Sequence, residues 1–209
     1  KFMISPEVLI PRPETEALID LIKTLDLPEK VGFLEVGTGS GCIAVTLALE
    51  YPQSYVLASD LSPQALRVAQ RNDILHEGRV EFAQSNLLKD IVLGLDGEPE
   101  RFEVVVANLP YVNRDWEWLN LKSLSHEPEM ALFSQGNNGL ATYQRFLKEL
   151  HYRLSNRDLD TDYLVLEADP CQHEALKRMA MRIGFEHMRT EGYGLLFKGV
   201  SSADWYPSD

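Results

Sequence analysis

The sequence is poor in cysteine, and this scarcity already restricts the class of protein. Its 209 residues contain two cysteines, Cys42 and Cys171, which lie far apart in different predicted elements. Two separated cysteines indicate neither a disulfide framework nor a zinc site, so we expect both thiols to be buried and reduced, as in cytoplasmic proteins. The five histidines are equally scattered, and we expect no metal centre.

Long hydrophobic runs and an excess of basic residues are also missing. No apolar stretch approaches the roughly 20 residues of a membrane-spanning helix, and nothing resembles a signal peptide. We therefore expect a cytoplasmic protein without a membrane partner. The net charge of −12 arises from 20 basic and 32 acidic residues, which disfavours binding along a nucleic-acid backbone. Hydrophobic residues make up 44% of the chain, enough for one globular α/β domain.

The stretch FEVVVANLPYV, residues 102–112, is the most informative part of the sequence. Its apolar run Val104–Ala107 is typical of a central strand that is buried on both faces. The run ends in Asn108, Leu109, Pro110 and Tyr111, and a proline cannot extend a sheet ladder. Ligands of open α/β sheets bind at the carboxyl ends of strands, so these four residues predict a site. A plain strand that a proline stops would give the same pattern.

A glycine-rich turn follows an earlier strand, residues 31–36, and precedes an apolar helix from Cys42 to Leu49. The turn consists of Gly37, Thr38, Gly39, Ser40 and Gly41. Strand, glycine turn and helix form the nucleoside-binding arrangement of a doubly wound sheet. A dinucleotide fingerprint would require glycine at position 42, so the pattern does not demand a pyrophosphate.

Polar residues also end the next two predicted strands, residues 54–59 and 79–85. Asp60 follows the first of them, about 20 residues beyond the glycine turn, where an acid can bind ribose hydroxyls. Asn86 follows the second. It either meets an adenine edge, with Leu87 packing against the ring, or caps a short helix.

The rest of the chain predicts one catalytic domain without internal repeats. We divide it into an N-terminal segment and helix (1–30), a core of sheet and helices (31–200) and a tail (201–209). A long irregular loop, residues 113–139, contains Trp116 and Trp118 and is expected to be functional. A helix over 140–154, a polar linker, a strand over 163–167 and a helix after Asp169 follow. Residues 185–191 and 193–200 predict an antiparallel pair.

These motifs resemble those of class I S-adenosylmethionine-dependent methyltransferases, whose seven-stranded sheet ends in an antiparallel hairpin. Asn-Leu-Pro-Tyr resembles the Asn-Pro-Pro-Tyr motif of enzymes that methylate amide or exocyclic nitrogens. Three stretches narrow the resemblance to the HemK/PrmC family of peptide chain release factor glutamine methyltransferases: VLIPRPETE (8–16), EVGTGSGCIA (35–44) and HEPEMALFSQGNNGL (126–140). The fold implied is a doubly wound, Rossmann-like α/β sheet of seven strands, mostly parallel.

The resemblance also implies a cofactor, S-adenosyl-L-methionine, with S-adenosyl-L-homocysteine as product. Residues 37–41 would hold its methionine part, Asp60 its ribose, and Asn86 and Leu87 its adenine. Asn108, Leu109, Pro110 and Tyr111 would be catalytic, with Asn108 also near the cofactor, and no general base is expected. Arg12 and Thr15 either wall the methionine end or brace the helix start at Pro13.

The expected partner is a release factor whose Gly-Gly-Gln glutamine is methylated, with no direct nucleic acid, and we expect a monomer. Leu109 departs from the family motif by replacing its first proline. The family assigns a role to the carbonyl of that residue, and Pro110 still restricts Leu109 to extended conformations, so we expect activity. The small helical domain that precedes the catalytic domain in bacterial members is absent from this sequence, and the start at Lys1 leads us to expect a fragment.

Two other functions compete with this interpretation. An adenine-specific nucleic-acid methyltransferase would grip an exocyclic amine with the same motif, although the acidic charge disfavours it. A non-catalytic cofactor-binding module, in which Leu109 marks lost activity, would bind the cofactor and methylate no protein.

Overall fold

Strands and helices alternate along the chain. The computed structural model describes residues 1–92, 100–116, 127–136 and 138–200. Its strands are Gly32–Val36 (β1), Tyr55–Asp60 (β2), Val80–Gln84 (β3), Glu100–Arg101 (β4), Val104–Ala107 (β5), Leu159–Asp160 (β6), Tyr163–Glu167 (β7), Phe185–Glu191 (β8) and Gly194–Gly199 (β9). Its α-helices are Glu16–Lys23 (α1), Cys42–Glu50 (α2), Pro63–Leu75 (α3), Glu129–Leu132 (α4), Ala141–Ser155 (α5) and His173–Met181 (α6). Short 3₁₀ helices, Pro13–Thr15 and Pro170–Gln172, precede α1 and α6.

Seven of these strands form one sheet in the order β3–β2–β1–β5–β7–β9–β8. The first five of that order pair in parallel, whereas β9 is antiparallel to both β7 and β8. This confirms the predicted doubly wound, mostly parallel sheet with an antiparallel C-terminal hairpin. The chain runs outward from β1 to β3 and then returns to the other side of β1. A topological switch point, where such sheets bind ligands, therefore lies between β1 and β5.

The central strands are buried on both faces because alternate side chains enter separate clusters. In β5, Val105 and Ala107 pack with residues of α5 and α6, whereas Val104 and Val106 pack with residues of α1 and α2. All five residues of β1 and all four of β5 are buried. Each fully buried valine contributes about 1.5–3 kcal/mol relative to an exposed one. Burial on two sides explains why β5 is a continuous apolar run rather than an alternating pattern.

Two expectations from the sequence are wrong. The polar linker before β7 contains β6, which pairs in parallel with β4, and Arg101 of β4 binds Asp160 of β6. Strands of two residues are too short to show a hydrophobic period, so this pair could not be predicted from the sequence. Cys171 is exposed instead of buried, because Asp169 and Pro170 start a 3₁₀ turn at the surface. Cys42 is half-buried.

The predicted loop over 113–139 is described in part and is not wholly irregular. It contains α4, and a single parallel bridge joins Val112 to Phe133. The Arg114 guanidinium lies 4.2 Å from the centre of the Phe133 ring, a cation–π contact. Trp118 of this loop and the tail 201–209 lie outside the described residues. Among the described helices, none combines the length and apolarity needed to cross a membrane.

Candidate active site

A cavity of about 400 Å³ opens at the switch point between β1 and β5. This volume is in the range of small-molecule sites, roughly 300–1,000 Å³. Most of the predicted site residues line it: Gly37, Thr38, Gly39, Ser40, Asp60, Asn86, Leu87, Asn108, Leu109 and Pro110. Gly41 and Tyr111 lie beside the cavity and are not part of its lining. The fold thus brings the ends of four strands to one place, as the sequence predicts.

Two glycines of the turn are required by backbone conformation and close packing. Gly37 and Gly41 have φ angles of 82° and 80°, in the left-handed region. A Cβ at Gly37 would lie 2.9 Å from Cδ2 of Leu109, and one at Gly41 would lie 2.9 Å from the Cβ of Ala69 on α3. Gly37 therefore allows the turn to approach the segment after β5. Gly41 faces α3, so helix packing accounts for it.

A buried carboxylate supports the glycine turn. Glu35 of β1 is 1% exposed, and its Oε2 accepts hydrogen bonds from the Thr38 hydroxyl (2.6 Å) and the Ala44 N–H (3.0 Å). Burial raises the pKa of Glu35 to about 8, against the opposing effect of these two donors. Glu35 lines the cavity, and no cation of the described chain pairs with it. An unpaired buried carboxylate is suited to the ammonium group of a ligand.

Asp60 joins the end of β2 to the glycine turn. Its Oδ2 accepts a hydrogen bond from the Gly39 N–H, and its Oδ1 accepts one from the Ser62 N–H, both at 2.8 Å. Burial raises the pKa of Asp60, and these N–H groups lower it. A carboxylate offers about four acceptor positions, so these N–H groups leave acceptor capacity for a ligand. Asp60 therefore has a structural task in the turn that the sequence did not predict.

Asn86 and Leu87 form another wall of the cavity. The Oδ1 of Asn86 accepts a hydrogen bond from Arg145 (3.0 Å). The next residues, 87–90, form a turn, so Asn86 does not stand at the start of a helix. Leu87 has a φ of 57°, which is uncommon for a residue with a side chain. Strained backbone of this kind concentrates at ligand sites. The position of both residues is compatible with the predicted adenine wall.

A tyrosine hydroxyl fixes the backbone of the segment after β5. Tyr143 of α5 is fully buried and accepts a hydrogen bond from the Leu109 N–H at 3.1 Å. The same hydroxyl is within hydrogen-bond distance of the carbonyl oxygens of Ala107 and Glu167. Because these two residues end neighbouring strands, Tyr143 ties both strand ends to the segment. Leu109 thus uses its N–H as well as the carbonyl that the sequence argument considered.

Glu167, at the end of β7, is a second buried carboxylate that the sequence argument missed. It is 2% exposed, and its Oε1 accepts a hydrogen bond from the Tyr111 hydroxyl at 3.1 Å. Gln172 donates from Nε2 to the Tyr111 carbonyl at 2.8 Å. Burial raises the pKa of Glu167, and the nearby polar groups of Thr15, Tyr111 and Asn108 lower it. Tyr111 is therefore held at both its carbonyl and its hydroxyl.

The N-terminal segment is tied to the loop that precedes α4. Glu127, whose side chain is 2% exposed, forms an ion pair with Arg12 and accepts a hydrogen bond from the Ile10 N–H at 2.9 Å. The chain then passes through Pro13 in the first 3₁₀ turn to Thr15, which lines the cavity. Of the two residues predicted either to wall the methionine end or to brace the helix, Thr15 lies at the cavity and Arg12 binds Glu127.

A family model described as "Methyltransferase small domain" matches residues 15–149, which is more than half of the chain. This chain belongs to the methyltransferase small domain family. The matched range contains the glycine turn, Asp60 and the segment after β5, so it covers most of the cavity. Among solved structures, a methyltransferase from Pyrococcus furiosus has a TM-score of 0.63 at 18% identity, over 95% of this chain and 88% of that chain. That likeness shows the fold alone.

Within this family, the chain is similar to curated proteins named "Release factor glutamine methyltransferase". The one from Koribacter versatilis is 43% identical over 153 residues, which is 71% of this chain and 52% of the relative. The one from Bacillus cereus is 34% identical over 195 residues, which is 91% of this chain and 65% of the relative. These matches confirm the resemblance that the motifs indicated. The chain spans about half to two thirds of the length of these two relatives.

Three buried polar residues at the site of this methyltransferase-family chain were not predicted. Glu35 and Glu167 each interrupt or end an otherwise apolar strand, and a charge in such a strand was a usable signal. Tyr143 gave no signal, because an aromatic residue on the apolar side of a helix is normally plain core. Its role depends on which strand ends meet it after folding.

We expect Tyr143→Phe to destabilise the fold by about 1–3 kcal/mol, because it leaves the buried Leu109 N–H without a partner. Urea unfolding followed by circular dichroism measures the change. Tyr152→Phe, on the exposed side of the same helix, is the matched control and should stay within about 0.5 kcal/mol of wild type. Equal stabilities of the two variants would show that the Tyr143 hydroxyl does not hold the segment.

Proposed function

We propose that this protein transfers a methyl group from S-adenosylmethionine to the side-chain amide nitrogen of the glutamine in a release factor's Gly-Gly-Gln motif. The observation that carries the proposal is the shared cavity: Asn108 lines the same space as the glycine turn and Asp60. Asn108, which can hydrogen-bond to an amide, thus shares the cavity with the glycine turn and Asp60, which are suited to bind an amino acid and a nucleoside. The names of the relatives support the choice of acceptor.

The residues present fit S-adenosylmethionine. The carboxylate of Glu35 and the backbone of the glycine turn suit its amino-acid part, and Asp60 retains acceptor positions for ribose hydroxyls. Asn86 and Leu87 line the same cavity, which supports the proposal that they flank the adenine. When bound, this cofactor supplies a methyl group on a positively charged sulfur, which even a weak nucleophile can accept, and leaves as S-adenosylhomocysteine.

The task of Asn108 follows from the chemistry of the acceptor. An amide nitrogen is a poor nucleophile because its lone pair is delocalised into the carbonyl. The Asn108 oxygen and the Leu109 carbonyl can accept hydrogen bonds from its two N–H groups, which orients the nitrogen and stabilises the positive charge that develops on it. The N–C bond forms as the C–S bond breaks, and the nitrogen then loses one proton to water. No general base is needed, and Glu167 does not line the cavity.

The test of this proposal compares possible acceptors. The protein is incubated with S-adenosylmethionine that carries a labelled methyl group, together with a purified release factor, adenine-containing DNA or RNA, or no acceptor. The proposal predicts label in the release factor alone. Label in nucleic acid would favour the adenine-specific alternative, and cofactor binding without transfer to any acceptor would favour the non-catalytic one.

We also expect the affinity for S-adenosylhomocysteine to rise from about pH 6 to about pH 8, because the buried Glu35 has a pKa of about 8. Below that pH the carboxyl is protonated in the free protein, and pairing with the ligand's ammonium group then requires loss of a proton. Calorimetry at several pH values measures this trend. Glu35→Gln should remove it, and an identical trend in wild type and variant would contradict the assignment.

A further inference from the structure

A buried carboxylate in the middle of a sheet requires a reason, because ionised groups are almost never buried without partners. Glu167 is a buried carboxylate of this kind, because its strand β7 lies between β5 and β9. Ala107, the last residue of β5, pairs with Leu166 of β7, so Asn108 and Glu167 are the residues that directly follow this pair. The carboxylate therefore lies beside the residue to which the proposed function assigns catalysis.

Only one of the two carboxylate oxygens of Glu167 has a hydrogen-bond partner among the residues that the structure describes. Its Oε1 accepts a hydrogen bond from Tyr111, while Oε2 makes no hydrogen bond to any residue the structure describes. The hydroxyl of Thr15 and the side-chain amide of Asn108 are close enough to lower the pKa of the carboxyl. The Asn108 Nδ2 in turn donates to the Thr15 Oγ1 at 3.3 Å.

The chemistry of these groups fixes the direction of the hydrogen bonds. A carboxylate oxygen accepts hydrogen bonds, so Thr15 and Asn108 lower the pKa of Glu167 by turning an O–H or N–H toward it. The Thr15 hydroxyl can donate its single proton there and accept from the amide of Asn108. In this arrangement the Nδ2 of Asn108, and not its Oδ1, points toward Thr15 and Glu167. Nitrogen and oxygen of an amide have nearly the same shape, so this chemical polarity is what distinguishes them.

The Oδ1 of the Asn108 amide is then available to a ligand. Within the described chain the Oδ1 of Asn108 makes no hydrogen bond, and the residue lines the cavity. With Oδ1 toward the cavity, Asn108 accepts a substrate N–H. A flipped amide would present its own N–H groups to that N–H, and two donors do not form a hydrogen bond.

We propose that Thr15 and Glu167 are positioning residues that fix the orientation of the Asn108 side-chain amide and keep its oxygen available to the substrate. This inference rests on the proposed function, in which the Asn108 oxygen accepts a hydrogen bond from the substrate amide. Neither residue touches the reacting nitrogen in this account, and both act through Asn108.

Kinetics with saturating S-adenosylmethionine and a release factor provide the first test. Thr15→Val removes the hydroxyl at nearly constant shape, and this hydroxyl does not cap α1. Glu167→Gln replaces a pure acceptor with a group that also donates. We expect either change to lower kcat roughly 10- to 100-fold, the range for residues that orient a ligand in metal sites. Thr15→Ser, which keeps the hydroxyl, should recover most of the kcat that Thr15→Val loses.

Double variants separate positioning from a general structural role. In an Asn108→Ala background there is no amide to orient, so Thr15→Val and Glu167→Gln should lower kcat no further. Undiminished effects in that background would overturn the inference, as would wild-type kcat in both single variants. A Thr15→Ser variant as slow as Thr15→Val would also overturn it.

A third measurement does not depend on methyl transfer. The NH₂ group of Asn108 gives a pair of nitrogen-correlated NMR signals, which the Asn108→Ala variant identifies by their loss. Hydrogen bonding to Thr15 and Glu167 predicts signals that move in Thr15→Val and in Glu167→Gln but stay near their wild-type position in Thr15→Ser. Signals that none of these changes moves would overturn the inference. If the signals respond as predicted but no release factor is methylated, the proposed function fails while the orientation stands.

Discussion

Replacing Asn108 by alanine should lower kcat for release-factor methylation by roughly 10²–10³-fold, the range for losing one preorganised transition-state hydrogen bond. Asn108 lines the cavity at the end of β5, and the proposed function assigns to it one of the two acceptors that hold the substrate amide. Affinity for S-adenosylhomocysteine should barely change, because the glycine turn and Asp60 remain. Steady-state kinetics together with calorimetry on the same preparations separate the two effects.

Asn108→Asp is the sharper companion variant. It keeps the acceptor oxygens but adds a negative charge near the positively charged sulfur, which should hold the cofactor more tightly in its ground state. The same charge would lie beside the buried carboxylate of Glu167, so the two acids should repel each other. Wild-type kcat in Asn108→Ala would contradict the assigned role, whatever the aspartate variant does.

The second large effect is expected at Asp60. Asp60→Ala should weaken S-adenosylhomocysteine binding by about 2–3 kcal/mol, or roughly 30- to 150-fold in Kd, because it would remove the charge-assisted hydrogen bonds that the proposed function assigns between Asp60 and the ribose. The variant also removes the acceptors of the Gly39 and Ser62 N–H groups, which loosens the glycine turn. Both losses act in the same direction on ligand affinity.

A matched control removes one negative charge elsewhere. Glu186 is exposed on β8, at the far edge of the sheet, and Glu186→Ala should leave the Kd unchanged. Unfolding curves of both variants show whether the protein is folded at the temperature of the calorimetry. A folded Asp60→Ala protein with wild-type Kd would exclude Asp60 from the cofactor site.

The sequence predicted the sheet well because its strands carry their own signals. β5 is a continuous apolar run, and Ser62 caps α3 just ahead of Pro63, as expected from residue types alone. Strand-end residues such as Asp60 and Asn108 were found by one topological rule, that parallel strands present their carboxyl ends at one edge. These features depend on local chemistry and on strand order, which a sequence can reveal.

Features set by tertiary contact were not predictable in the same way. The three partners of the Tyr143 hydroxyl lie 24 to 36 residues away in the chain. The Arg12–Glu127 ion pair joins residues 115 positions apart. The close packing of Gly41 against Ala69 of α3 was not predicted either, because the motif indicates only a ligand role for this glycine. In each case the deciding fact is which side chains meet after folding.

The most direct test of the account maps the methyl group. A purified release factor is incubated with S-adenosylmethionine and this protein, and its peptides are analysed by mass spectrometry, with Asn108→Ala as the catalytic control. The account predicts one added methyl group on the side chain of the glutamine in Gly-Gly-Gln, strongly reduced with Asn108→Ala and absent when that glutamine is replaced by alanine. A methyl group on any other residue, or none on a factor incubated with protein that binds the cofactor, would contradict it.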